Sequence, residues 1–331
     1  MALRTALRAV ALSTVIASSG AAVVYLSTTR YDHVATAAVA PAGQPGSSAA
    51  YRFERLTAPA RTVVRDNVGA IIATLTDGAR TAALTGPPRT FSEPGETQTV
   101  TTSAWVRLLP QPWQNSGEHA TWFAPWLKTA LADRGDDLLA VAAEYLGGAP
   151  AVTDGRSVRF RGNASFPHPD RPADFLDYLG LRWTFADGTT ESPHPERYGA
   201  IDSAGLVRLV YGYRLGYPLR PTNGRGTGLP RQPAAMATLD AGTVIIPDHH
   251  TTPADRLLLL PGDLLFFDDR RAGAGDVDHV GIFLGLDDNG HPRLVSSRKK
   301  ADGPTFGDVG PTSLLGQGGR FGPGLRSARR L

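Results

Sequence analysis

Ser203 and His279 are the two side chains in this sequence whose types and settings could together perform acyl transfer. Ser203 lies in Ala200-Ile201-Asp202-Ser203-Ala204-Gly205-Leu206-Val207-Arg208-Leu209-Val210-Tyr211, a polar pair followed by apolar residues at helical spacing. Asp202 is suited to cap that helix, which puts Ser203 in its first turn. Free N–H groups and the positive end of the helix dipole favour a developing anion there, the setting that a nucleophile and its oxyanion need. His279 opens Asp278-His279-Val280-Gly281-Ile282-Phe283-Leu284-Gly285, in which Val280, Ile282 and Leu284 alternate with Gly281, Phe283 and Gly285 as in a core strand. An imidazole at the head of such a strand is a candidate general base.

These residues need a frame to meet. Leu260-Pro261-Gly262-Asp263-Leu264-Leu265-Phe266-Phe267 predicts a turn and a buried strand, and residues 293–296, after the turn Asp287-Asp288-Asn289-Gly290, predict another beside the histidine strand. A helix is expected over 136–146, where Leu138, Leu139, Val141, Ala142 and Tyr145 form an apolar face that ends at Gly147-Gly148. Residues 149–199 read as a long irregular insertion with strand candidates only at 158–160 and 182–185. His168 and His194 within it, and the pair His249-His250 after it, have no partners at metal-ligand spacing and read as solvent-exposed loop histidines. Arg298-Lys299-Lys300 reads as a solvated loop.

Upstream, residues 51–112 read as a small β-rich domain, a meander or barrel. Strand candidates lie at 62–65, 70–76, 80–85 and 100–109, with turns at Asp66-Asn67-Val68-Gly69 and Asp77-Gly78. Residues 113–135 are expected to connect this unit to the next. Their aromatic cluster of Trp113, Trp122, Phe123 and Trp126 would pack between the two, ahead of a helix-like run at 127–132. At the amino terminus, Arg4 and Arg8 precede an apolar stretch over 9–26, so residues 1–30 read as an export signal, either a cleaved signal peptide or an uncleaved membrane anchor with its basic end inside the cell. Residues 31–50, with Ala40-Pro41-Ala42-Gly43-Gln44-Pro45-Gly46-Ser47-Ser48, read as a linker.

Four segments in order resemble the NlpC family of papain-like cell-wall peptidases, whose pattern runs D-C-S-G-[LF]-V, G-L-P-R, L-x-P-G-D-L-[VL]-F-F and H-[VI]-G-[IM]-[YF]-[LI]-G. The corresponding pieces are Asp202-Ser203-Ala204-Gly205-Leu206-Val207, Gly228-Leu229-Pro230-Arg231, residues 260–267 and His279-Val280-Gly281-Ile282-Phe283-Leu284-Gly285, within residues 136–300. The resemblance implies an α+β, papain-like NlpC-type domain over 136–331, with a nucleophile-bearing helix packed on an antiparallel sheet and an insertion at 149–199. It also implies an exported hydrolase of the cell envelope that cleaves amide bonds in peptidoglycan stem peptides without a metal or other cofactor. By position, Ser203 replaces the catalytic cysteine, His279 is the base and Ser296 the third polar residue. Asp202 matches the acidic residue that in some members holds the substrate's amine.

The departures matter as much as the matches. A cysteine beside histidine forms a thiolate at rest, whereas the Ser203 hydroxyl must lose its proton during attack, and the neutral Ser296 stabilises an imidazolium less than a carboxylate would. The family's P-Y-x-W-G segment gives way to Gly147-Gly148-Ala149-Pro150. Two principal expectations follow: a serine-using hydrolase, and a catalytically inactive relative that binds stem peptides or a partner enzyme in the same groove. A third is an envelope protein that keeps only the fold.

Composition narrows the remaining classes. A chain of 331 residues with 37 glycines and 26 prolines suggests two units with long connections. Its formal net charge is +3, lysine occurs only at Lys128, Lys299 and Lys300, and the arginines are interleaved with acidic residues, so no nucleic-acid-binding face is expected. The absence of cysteine removes disulfides, thiolate zinc sites and thiol catalysis together. Gly224-Arg225-Gly226-Thr227-Gly228 lacks the preceding strand and following helix of a phosphate loop.

Overall fold

The computed structural model describes residues 51–155, 158–168, 171–248, 253–269, 276–309, 312–316 and 321–331. The expected export segment, the linker and His249-His250 lie outside them. Among the described residues no helix is long and apolar enough to cross a membrane.

The amino-terminal unit is an antiparallel meander of β1 (Arg52–Thr57), β2 (Ala60–Arg65), β3 (Ile71–Thr76), β4 (Thr81–Phe91) and β5 (Val100–Leu108), paired in chain order. Its turns follow from local chemistry: the Asp66 carboxylate accepts N–H bonds from Val68 (3.0 Å) and Ala70 (2.8 Å), and Gly69 takes φ 87°. Helix α1 (Phe123–Ala132) lays Phe123, Leu127 and Ala130, spaced for one helical face, onto Val64, Leu75 and Leu84 of the meander. The expected inter-unit aromatic cluster therefore completes this unit's own core. Trp113 is fully buried, stands 4.8 Å from the Phe123 ring and donates its indole N–H to Thr62 Oγ1 at 3.1 Å.

Strand alternation lets β5 serve both units, since Trp105 joins the meander core while Val100 and Val106 join the core of the second unit. That second unit begins with α2 (Leu138–Ala143), shorter than the 136–146 expected because Asp137 is an extended N-cap whose carboxylate receives Ala140 N–H. The insertion holds two small hairpins, β6 (Val152–Thr153) with β7 (Arg159–Arg161) and β8 (Trp183–Thr184) with β9 (Thr190–Glu191). Between them lies an unexpected helix, α3 (Phe175–Leu179). It forms because Asp174 and Asp177 make a reciprocal capping box and Gly180, at φ 65°, ends it.

Helix α4 (Ser203–Val207) passes without a break into a π-helical turn (Arg208–Arg214), where regular helix was expected to continue through Tyr211. The side chain of Leu219 would lie 2.4 Å from a Cβ at Gly212, so the following segment packs directly on the backbone of this turn. The remaining elements are α5 (Pro233–Ala237), β10 (Thr243–Ile246), α6 (Pro253–Arg256), β11 (Leu264–Phe267), β12 (His279–Leu286), β13 (Pro292–Arg298), β14 (Gly303–Thr305), α7 (Phe321–Gly324) and β15 (Leu325–Arg330). Six strands form one antiparallel sheet in the order β10-β15-β11-β12-β13-β14. Residues of α2, α3, α4 and α5 share one core with Leu264, Phe266, Val280, Ile282 and Val295, while Phe267, Phe283, Leu294, Phe321 and Leu325 form a second cluster. The chain is thus a mixed α and β protein built on antiparallel sheets. Arg298, expected in a solvated loop, instead ends β13 with only 3% of its surface exposed.

Candidate active site

The start of α4 is held by a network of charges. Asp202 has extended backbone, and its Oδ1 accepts the Gly205 N–H at 2.8 Å, capping the helix. Its Oδ2 accepts the Ala173 N–H at 3.1 Å, and both oxygens receive the guanidinium of Arg231. Arg231 also stands 3.7 Å from Asp174, whose two oxygens each lie 3.0 Å from Nε of the fully buried Arg208. Arg208 Nη1 donates onward to the carbonyls of Arg220 (2.8 Å) and Leu229 (2.7 Å), so the Gly228-Leu229-Pro230-Arg231 segment is fastened to the helix start. Glycine is required at 228, where φ is +101° and a Cβ would lie 2.5 Å from the Pro218 carbonyl. Burial works against the charge on Arg231, but the Asp202 and Asp174 carboxylates outweigh it and hold its pKa above the ordinary arginine value.

Asp202 is therefore occupied by capping and ion pairing. Ser203 follows it as the first residue of α4, 7% exposed, and its hydroxyl makes no hydrogen bond among the described residues. The helix start is pinned to β13 by Ser297, whose hydroxyl donates to the Ile201 carbonyl at 2.6 Å, and α4 packs against both β12 and β13. His279 is the first residue of β12, 9% exposed and paired in register with Phe267. Its ring stacks on Phe321 (centroids 5.3 Å, interplanar angle 24°) and lies 6.2 Å from Phe267.

Ser296 is 1% exposed, and its buried hydroxyl has no hydrogen-bond partner among the described residues. A Cβ at Gly281 would stand 3.4 Å from Ser296 Cβ, and alternation along β12 puts His279 on the face of Gly281. His279 and Ser296 thus share a sheet face on adjoining strands. Ser203 stands on the helix that packs on those strands from the other face, that of Val280, Ile282 and Val295.

No family model matches this chain, and no curated protein is found as a relative.

The sequence reading missed Arg208, Arg231 and Asp174, although one signal was present. A lone arginine within Leu206-Val207-Arg208-Leu209-Val210 has to find a carboxylate if that run is buried. His194, expected as a solvent-exposed loop histidine, is half exposed, and its backbone N–H donates to Asp177 Oδ1 at 2.7 Å while its ring Nδ1 lies 3.0 Å from the same oxygen. Among the described residues no group of three or more His, Asp or Glu side chains is arranged to hold a metal ion.

Proposed function

We propose that residues 136–331 form a papain-like, NlpC-type domain of an exported cell-envelope protein, and that it binds peptidoglycan stem peptides without cutting them. The observation that carries this reading is the placement of Ser203 and His279 on opposite faces of the sheet. Ser203 occupies the first turn of α4, where the family carries its thiol, and α4 packs on the face of Val280 and Ile282, whereas His279 shares the other face with Gly281 and stacks on Phe321. A thiol can ionise ahead of attack, but a hydroxyl needs its base in contact to lose a proton, and disrupting that geometry costs several orders of magnitude in rate. Asp202, spent on Arg231 and on the helix cap, is not open to a substrate amine.

A serine-using amide hydrolase is the second reading. It is favoured by the position of Ser203 at a capped helix start packed on the strand that His279 opens. Incubating the purified chain with stem peptides, following binding by calorimetry and cleavage by mass spectrometry, separates the two. The wild type is expected to bind without cleavage, and Ser203→Ala to bind equally well. Cleavage by Ser203→Cys alone would fit a scaffold that lacks only its thiol. Cleavage by the wild type that Ser203→Ala and His279→Ala abolish would overturn the binding reading in favour of the serine enzyme, and absence of both binding and cleavage would overturn both.

A further inference from the structure

A partly open cavity of about 460 Å³ lies between α5, β10 and β15 and touches none of Ser203, His279 or Ser296. That volume suits a small molecule. Its walls include Ala234, Ala237 and Val244, and the two cations among its described lining residues, Arg326 and Arg329, are in very different states. Arg326 is neutralised, with Nε 2.8 Å and Nη2 3.2 Å from the two oxygens of Asp248.

Arg329 is 7% exposed and has no carboxylate within ion-pair distance among the described residues. Its Nη1 donates to the Ala237 carbonyl (3.3 Å) and its Nη2 to the carbonyls of Ala241 (3.1 Å) and Leu239, which leaves a buried Nε–H with no hydrogen-bond partner among the described residues. Burial pushes its pKa below the ordinary arginine value, with Tyr217 and Asp240 acting in the opposite direction. A buried cation with no ion-pair partner among the described residues, held by carbonyls with one donor unused and only partly offset by Asp240, is a costly arrangement that an incoming anion relieves.

We propose that this cavity binds a small aliphatic carboxylate, one oxygen accepting the Nε–H of Arg329 and the alkyl portion lying against Ala234, Ala237 and Val244. A dianion fits poorly, because Asp248 and Asp276 also line the cavity while only one of its two arginines lacks an ion-pair partner among the described residues. The site stands independently of the peptide-binding reading.

The test is calorimetric titration of the full chain with propionate, with propionamide as the neutral isostere and inorganic phosphate as the dianion. Propionate is expected to bind at least about tenfold more tightly than propionamide, the usual difference made by a charge-assisted hydrogen bond. Phosphate is expected not to compete. Arg329→Lys keeps the charge but removes the Nε–H, and it should weaken propionate by a similar factor. Val244→Trp, at an exposed position on the rim, should abolish binding while the unfolding temperature stays unchanged, so the test does not depend on a variant at the buried arginine. Equal affinity for propionate and propionamide, effective competition by phosphate, no propionate binding, or unchanged binding in Val244→Trp would each overturn the proposal.

Discussion

Replacing Arg231 with methionine removes the cation between Asp202 and Asp174 while keeping most of the volume of its aliphatic stem. Breaking a buried ion pair from one side costs about 3–5 kcal/mol, because the remaining charge stays desolvated. The side chains of Arg231 and Asp202 keep 19% and 18% of their surface in contact with solvent, and Asp174 retains Arg208. The lower end applies, about 3 kcal/mol, which for a chain of this size is a fall of about 4–5 °C in Tm. Thermal and urea melts of Arg231→Met, Asp202→Asn and the double variant measure it. The double-mutant cycle should show a coupling of at least about 1.5 kcal/mol. A loss under about 1 kcal/mol, or additive single changes, would refute the view that Arg231 fastens the helix start through Asp202.

Three further outcomes are expected. Burial raises the pKa of Glu93, although the Thr305 hydroxyl and Phe306 N–H donate to its carboxylate and work the other way. The folded chain therefore holds a proton that the unfolded chain has released, so this group's contribution to stability falls as pH rises from the ordinary glutamate value through the raised one. Glu93→Gln should remove that slope in urea melts taken between about pH 4 and pH 7. Asp137→Ala should cost about 4 kcal/mol in urea unfolding, through loss of the helix cap together with a buried charge pair. The fully buried carboxylate joins Ala140 N–H (3.0 Å), Val106 N–H (2.6 Å) and Arg89 (2.6 Å). Gly281→Ala puts a Cβ 2.4 Å from Leu294 Cδ1 and 3.2 Å from the Val295 carbonyl, so overpacking should cost about 1–3 kcal/mol in thermal melts.

Elements whose pattern is local were legible in the sequence. The alternation of Val280, Ile282 and Leu284 announced β12, and Asp202 before an apolar run announced the start of α4. Helix α3 escaped because its signal is a pair of aspartates and one glycine around five residues, in a stretch whose prolines and glycines suggested loop. Strand β15 escaped for a different reason. Leu325-Arg326-Ser327-Ala328-Arg329-Arg330 has three arginines and no apolar alternation to mark it, yet the strand is buried throughout. Arg326 is paired with Asp248, Arg330 with Asp263, and Arg329 donates to carbonyls at and just after the end of α5, all partners far away in sequence. The residue types at 203, 279 and 296 were legible, and so was their order along the chain. Whether the Ser203 hydroxyl meets the imidazole was not, since that depends on how α4 and the aromatic rings of Phe267 and Phe321 seat around β12.

β15 lies between β10 and β11 although it follows every other strand of its sheet in the sequence. As the chain emerges, those two neighbours have no lasting partner on their facing sides, and each presents a bare hydrogen-bonding edge open to mispairing. Arg330 on the arriving strand donates to both oxygens of Asp263 (2.8 Å each) and to Thr76 of the meander (2.7 Å). One late docking event thus closes the sheet and joins the two units. Pairings so distant in sequence carry a larger loop-closure cost than the local hairpins of the meander, so the join between the two units rests on contacts that are slow to form.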